Sequence, residues 1–289
     1  MSILAFIVLY GVSYGLVLCL IAVGLVVTMG LMRVVNLAHG AFAAIGGYLA
    51  IDLTMHAHMP FPLAVCIAVA AVAVFSVLVE RAFFVSLYRA PELDQVLLTV
   101  GLSFLAIGAL SLWYGRNVYP VILPSYLQGS IDLGFRDFEV YRVVVVVVCA
   151  AVITGLWLGF ERTNLGARLR AAVDNRSMAQ ATGINVPRLF SLTFALGSGL
   201  AALGGALGAP MLPLEPYYPF KYLVIVLIIV ALSGHGSLRG AIAVSIMIGV
   251  METAVRLLLP ELGAFLIYIV LIVLIVWRRE GLFAARSAS

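Results

Sequence analysis

The sequence predicts an all-α, polytopic transmembrane helical protein of about eight to ten spans, some broken or re-entrant, with an internal two-fold repeat. Three observations carry this. Of the 289 residues, 64% are hydrophobic and only 10% charged, and the mean hydropathy is +1.17. A soluble domain of this length carries about a quarter charged residues. The charges are gathered between apolar runs long enough to cross a bilayer, for which about 20 residues suffice. Hydrocarbon also leaves the backbone no partner but itself, so spans of this composition must be helical. The whole of residues 1–289 reads as a single transmembrane domain.

A net charge of +4 does not mark a nucleic-acid binder here, because the cations sit at span ends, as membrane orientation requires. Lys221 is the one lysine; the other cations are arginines. Cys19, Cys66 and Cys149 lie separately inside apolar runs. They suit packing and make neither a disulfide framework nor a metal site. The residues imply no cofactor.

The first charge is Arg33, so Met1 to Leu31 is one apolar segment without a basic start. It reads as a retained first span with the N-terminus outside, not as a cleaved signal peptide. The next stretch, VVNLAHGAFAAIGGYLAIDL, puts Asn36 and His39 at the mouth of an apolar run rich in glycine. Either these two residues cap the cytoplasmic end of a second span, or they form the polar end of a broken helix that lines a path. Leu63 to Val79 is a third span, followed by an inside loop from Glu80 to Gln95. Val96 to Tyr114 is the fourth, and Gly115 to Arg142 is an outside excursion too short for a domain of its own. Val143 to Phe160 is the fifth; its valine run is strand-like by propensity, but the membrane demands helix.

Glu161 to Arg188 departs most from the rest. It carries Arg162, Arg168, Arg170, Arg176 and Arg188 with Glu161 and Asp174. Its middle reads as one short amphipathic helix, with Leu165, Leu169, Ala172 and Val173 as a narrow apolar stripe, ended by Gly183. Such a helix lies on anionic lipid, is gripped by a soluble partner, or is a solvated positive-inside loop.

Leu189 to Leu212, dense in glycine, is a tightly packed sixth span. Lys221 to Leu232 is short and runs into SGHGSLRG, which suggests a half-helix. Ala241 to Leu259 holds Glu252 and Arg256, spaced to pair with each other, and Leu262 to Trp277 is the last span. Nine spans result, with twelve cations inside, five outside and the C-terminus inside. Ala38-His39-Gly40-Ala41 and Gly234-His235-Gly236 with Ala241 form a faint internal echo, as a duplicated transporter would show. On that reading Asn36, His39 and Gly40 from the first, with Ser233 and His235 from the second, line the path.

Four stretches together resemble one family: GLMRVVNLAHGAF (30–42), ERAFFVSLYR (80–89), GARLRAAVDNRSMAQATGIN (166–185) and LSGHGSLRGA (232–241). In this order and spacing, along nearly the whole chain, they resemble the permeases of branched-chain amino acid ABC transporters, the LivH type. The resemblance implies a bacterial inner-membrane complex with a second permease subunit (the same chain or a diverged one), two cytoplasmic ATPases and a periplasmic solute-binding protein. It implies that Gly166 to Gly183 seats in an ATPase. Arg168, Arg170, Arg176 and Asp174 would pair with that partner, while Ala171, Ala172 and Ala179 let it approach. The chain has no GxxxxGK[ST] phosphate loop, so ATP hydrolysis belongs to a partner and this subunit is no enzyme. Within the family the solute is a branched-chain or related amino acid, with urea or short amides as the alternative. An ion-coupled secondary transporter would rest on Glu252 alone, and a serine hydrolase on Ser198 with His235, which lack a recognised nucleophile turn. A purely structural scaffold would leave the glycine-rich breaks without a purpose.

Overall fold

The computed structural model describes residues 2–32, 36–87, 90–132, 137–234 and 237–261, with 269, 272 and 273. The expected last span, Leu262 to Trp277, lies outside the described residues, apart from those three. The long helices are α1 (Ser2–Met32), α2 (His39–Met55) and α3 (Phe61–Val79), the last continuing through a π turn (Glu80–Phe84) into α4 (Val85–Leu87). Then come α5 (Glu92–Tyr114), α6 (Val140–Arg162), α7 (Asn164–Asp174), α8 (Arg176–Ala181), α9 (Val186–Gly208), α10 (Tyr218–Ser233) and α11 (Leu238–Leu258). Among the described residues six helices are long and apolar enough to cross a membrane. The valine run of α6 is helical, as hydrocarbon requires.

Two boundaries differ from the sequence reading. The Glu80–Gln95 loop shrinks to a few residues around Pro91, because the helix runs on to Leu87. Glu80 does not end it: its side chain turns inward, where it is buried and accepts a hydrogen bond from the Ser191 hydroxyl at 2.7 Å. Likewise α9 begins at Val186, with Pro187 in its first turn, where its missing N–H goes unneeded.

α1 and α9 run antiparallel through the centre and are buried along most of their length. Small residues bring their backbones together: Gly204 faces Ile21, Gly208 faces Val17 and Gly197 faces Gly24. Between helices in lipid, close packing of this kind replaces the hydrophobic drive available in water. On the other side of α1, a methyl at Gly15 would sit 2.9 Å from the Ile246 Cα of α11. By contrast α3, α5 and α6 turn apolar side chains outward, Trp113 and Leu112 among them.

The two ends of the bundle differ. At one, β1 (Ser130–Asp132) pairs antiparallel with β2 (Asp137–Glu139), and Tyr119 bridges to Leu214. Phe138 of this hairpin packs edge-on against Tyr10, and the Tyr141 hydroxyl donates to the Leu207 carbonyl at 2.8 Å, pinning α6 to α9. At the other, basic end lie α7 and α8.

The helices repeat in order. α1 packs on α11 as α9 packs on α3; α2 crosses α9 as α10 crosses α1; α2 lies on α3 as α10 lies on α11. Since α1 and α9 are antiparallel, the two units are inverted. The sequence echo aligned the start of α2 with the start of α11, and this pairing is corrected: α2 corresponds to α10. Helix order carries the repeat, and a shared His-Gly pair does not.

Candidate functional site

α2 does not start at the end of the bundle. The Leu37 carbonyl, two residues before it, accepts from Ser103, which is half-way along α5. Tyr48, nine residues later, stacks on Tyr114 at the hairpin end of α5, with centroids 4.6 Å apart. α2 is therefore a half-helix running from the middle of the bundle to the hairpin end. α10 mirrors it. A side chain at Gly40 would meet Pro219 in the first turn of α10, with the Pro219 Cα 3.0 Å from its Cβ. From there α10 leads to Ser233, which adjoins Gly240 at the start of α11. Two helix N-termini thus meet half-way through the protein.

Asn36 and His39 sit at that meeting, fully buried. The capping alternative is overturned. The N-cap position of α2 is Ala38, with no side-chain cap, and the His39 ring leaves its own helix to bond the Ile21 carbonyl at 2.9 Å. A carbonyl only accepts, so Nε2 carries the proton and Nδ1 is left as a lone-pair acceptor. Among the described residues Nδ1 has no partner, and neither the oxygen nor the nitrogen of the Asn36 amide has one. The Ser198 hydroxyl on α9 and the Tyr218 hydroxyl at the start of α10 are also unpaired. Each buried polar group left without a partner costs about 1–3 kcal/mol.

The other expected path residues do not join this cluster. Ser233 donates to Val230 within its own helix, and the rise of α10, about 1.5 Å per residue, sets it about 21 Å from Pro219. His235 lies outside the described residues. Among the described residues no base is hydrogen-bonded to Ser198, as an activated nucleophile would need.

At the basic end the expected single helix is two. Asn175 breaks it, with extended backbone, and its side chain accepts from the Met178 N–H at 3.0 Å to cap α8. Gly183, at φ +85°, ends α8 in the left-handed conformation, and the Ile184 N–H closes back on the Ala179 carbonyl. Gly166 is pressed under α6: a side chain there would come 2.9 Å from the Phe160 Cα. Arg170 donates to the Phe160 carbonyl at 2.7 Å, and Arg239 of α11 pairs with Glu161 at 3.1 Å. Ala172 and Ala179, expected to let a partner approach, are instead buried with Leu169 against this chain's own core, while Leu165 of the expected stripe is exposed. The surface left outward carries Arg168, Ala171, Asp174 and Met178. Arg176 is partly covered and lies over the Phe190 ring, 5.4 Å from its centroid.

Sequence reasoning missed Glu80. Its signal was a single Glu-Arg pair with apolar residues on both sides, Val77 to Val79 before it and Ala82 to Val85 after it. It lines a groove of about 500 Å³ at the basic end, together with Arg81, Arg176 and Arg188. The carboxylate is held by Ser191 in α9, so α3 is tied to the helix that follows α8. Ser191→Ala removes that donor and is expected to cost about 1–3 kcal/mol. A lower melting temperature in detergent, with Ser191→Thr close to wild type, is the expected result; identical melting of Ser191→Ala and wild type would show that the bond adds nothing.

The family model for the permease component of branched-chain amino acid transport systems matches residues 7–275. Among known proteins, the chain is 28% identical to the high-affinity branched-chain amino acid transport system permease protein BraD of Pseudomonas aeruginosa, over 84% of this chain and 83% of that protein. It is 26% identical to the high-affinity permease protein LivH of Escherichia coli K12, over 84% and 82% of the two chains. A probable LivH permease of Methanocaldococcus jannaschii is also 26% identical, over 89% and 83%. No solved structure matches the chain. The chain belongs to the family of permease components of branched-chain amino acid transport systems, integral membrane transport subunits and not enzymes.

Proposed function

We propose that this chain is the membrane-spanning subunit of an ATP-driven importer for branched-chain or related amino acids. All of residues 1–289 act as one transmembrane domain in a bacterial inner membrane, with the N-terminus and hairpin end periplasmic and the basic end and C-terminus cytoplasmic. A second permease subunit completes the membrane part, two ATPases dock below, and a periplasmic binding protein delivers solute above. The solute passes the junction of α2 and α10, where Asn36, His39 and Gly40 line its way; Ser233 lies further along, at the basic end of α10, and His235, two residues on in the sequence, is assigned to the same path. Gly166 to Gly183 is the ATPase contact, through Arg168, Arg170, Asp174 and Arg176, with Gly183 setting its end. Ala172 and Ala179 serve it from beneath by seating the helices on the bundle.

The observation that carries the pathway is the cluster of buried, unpartnered polar atoms on Asn36 and His39 at the break. Isolated charge in a membrane costs about 2.5–3.5 kcal/mol on insertion scales, so neutral amides, imidazole and half-helix ends suit a zwitterionic solute better. Removing those groups should cost transport and leave the fold alone. With the complete complex in proteoliposomes, Asn36→Leu and His39→Leu are expected to lower ATP-driven uptake of labelled leucine at least tenfold while the subunits still co-purify. Unlabelled isoleucine and valine should compete, and urea should not. Wild-type uptake by both variants would end the pathway assignment, and competition by urea alone would reassign the solute.

A further inference from the structure

A second polar site lies at the hairpin end, away from the α2–α10 junction. There α1, the start of α6 and the end of α11 enclose a pocket of about 250 Å³. Sites for drug-sized ligands span about 300–1,000 Å³, so this one suits a smaller molecule. Its acid is Glu252, buried in the body of the bundle. One carboxylate oxygen takes the Arg256 guanidinium at 2.5 Å; the other, Oε2, is buried and makes no well-formed hydrogen bond among the described residues. The Tyr14 hydroxyl in the same pocket is buried too and lies within electrostatic reach of this carboxylate, without a well-formed hydrogen bond between them.

Opposite charge is also present. Arg256 is mostly exposed and uses one nitrogen on Glu252. Arg142 is fixed over the Tyr10 ring, 4.1 Å from its centroid, and bonded to Glu139 and Ser13. A guanidinium has five N–H donors, so both arginines keep donors to offer. Phe6, Met211 and Leu257 add an apolar wall. An ion pair retained inside an apolar helix is costly and marks a functional position by default. A pure structural neutralisation would close both carboxylate oxygens with well-formed bonds, and here Oε2 has only the loosely placed Tyr14 hydroxyl near it.

We propose that this pocket binds a free zwitterionic α-amino acid with an apolar side chain, as an entry site ahead of the α2–α10 junction. The ammonium group meets Glu252 Oε2 and the Tyr14 hydroxyl, the carboxylate meets Arg142 and Arg256, and the side chain lies on Phe6, Met211 and Leu257. The assignment rests on the importer reading and on the hairpin end being periplasmic. A metal does not fit: no cluster of three His, Cys, Asp or Glu exists among the described residues. The ethanolamine headgroup of a phospholipid shares the paired charges, and the test separates it.

The test uses the complete complex in nanodiscs, with Thr253→Cys as a reporter on the pocket wall and Cys66→Ala to remove the exposed thiol. The rate of reaction with a charged methanethiosulfonate is read. L-leucine is expected to slow labelling at least tenfold. Its analogues 4-methylpentanoate, without the ammonium, and 3-methylbutylamine, without the carboxylate, should not. Glu252→Gln should raise the half-protecting leucine concentration at least tenfold, and Tyr14→Phe, which keeps shape, should raise it severalfold. Protection must persist in discs of phosphatidylglycerol alone. Leucine uptake without leucine protection, or protection unchanged in Glu252→Gln and Tyr14→Phe, overturns the site. So does labelling controlled by phosphatidylethanolamine and indifferent to leucine, which gives the pocket to lipid. Absence of ATP-driven leucine uptake by the unsubstituted complex overturns the importer reading instead.

Discussion

Gly46→Leu is expected to yield a permease that no longer holds together. Gly46 lies where α2 crosses α9, and even a methyl there would be 2.5 Å from the Ala202 Cβ and 2.6 Å from the Ala202 carbonyl oxygen. Backbone cannot swing aside as a side chain does, so the two helices must part. Parting them moves the start of α2, and with it Asn36, His39 and the contact of Gly40 with Pro219. Overpacking costs about 1–3 kcal/mol in ordinary cores, and an obstruction by backbone belongs at or above the top of that range. The check is the fraction of protein still monodisperse after heating in detergent, compared with wild type. Gly46→Ala should be intermediate, and adding Ala202→Gly should recover part of its loss, a coupling that only residues in contact show. Wild-type heat resistance in Gly46→Leu would mean that α2 and α9 are not packed as described.

Much of this fold was legible in the sequence, for reasons that particular residues make plain. The absence of any charge before Arg33 made α1 a span, and the glycines from Gly197 to Gly208 announced an interior helix. The half-helices were foreshadowed by Asn36 and His39 at one mouth and by the short run after Lys221 at the other. What sequence could not give was depth. Whether His39 caps a helix at the membrane surface or reaches across to Ile21 depends on where residues 33–38 carry the chain, and no local propensity encodes that. Glu80 misled for a related reason. A carboxylate beside an arginine reads as a loop, and the Ser191 hydroxyl that holds it inside the bundle lies 111 positions away. The apolar stripe of 165–173 was visible, but a stripe does not say what it faces. Leu169 and Ala172 face the bundle, as does Ala179 of α8, which removes both alanines from the outer surface, while Leu165 stays exposed.

That last point changes which variant best probes the ATPase contact. Ala172→Trp would disturb the permease itself, and Arg170 already holds the Phe160 carbonyl, so reversing it would damage the joint between α6 and α7. Arg168 is free of these objections: it is exposed and has no hydrogen-bond or ion-pair partner among the described residues. Arg168→Glu is therefore expected to leave the permease folded and inserted, with an unchanged melting temperature, while the ATPases no longer co-purify or no longer hydrolyse ATP in response to solute. The sign follows from complementarity. If the partner presents acids to this basic surface, a reversed charge meets like charge at the contact, which costs several kcal/mol rather than the fraction lost with a surface ion pair. Asp174→Arg, on the same outward surface, should act in the opposite electrostatic sense and serves as the comparison. A gentler control is Arg168→Gln, which removes attraction without adding repulsion and should weaken coupling less. Raising salt should narrow the gap between Gln and Glu, because exposed charges are screened over about 8 Å at physiological ionic strength. Co-purification and solute-stimulated hydrolysis at wild-type levels in Arg168→Glu would reduce α7 and α8 to a membrane-orienting loop and remove the coupling role from this end of the chain.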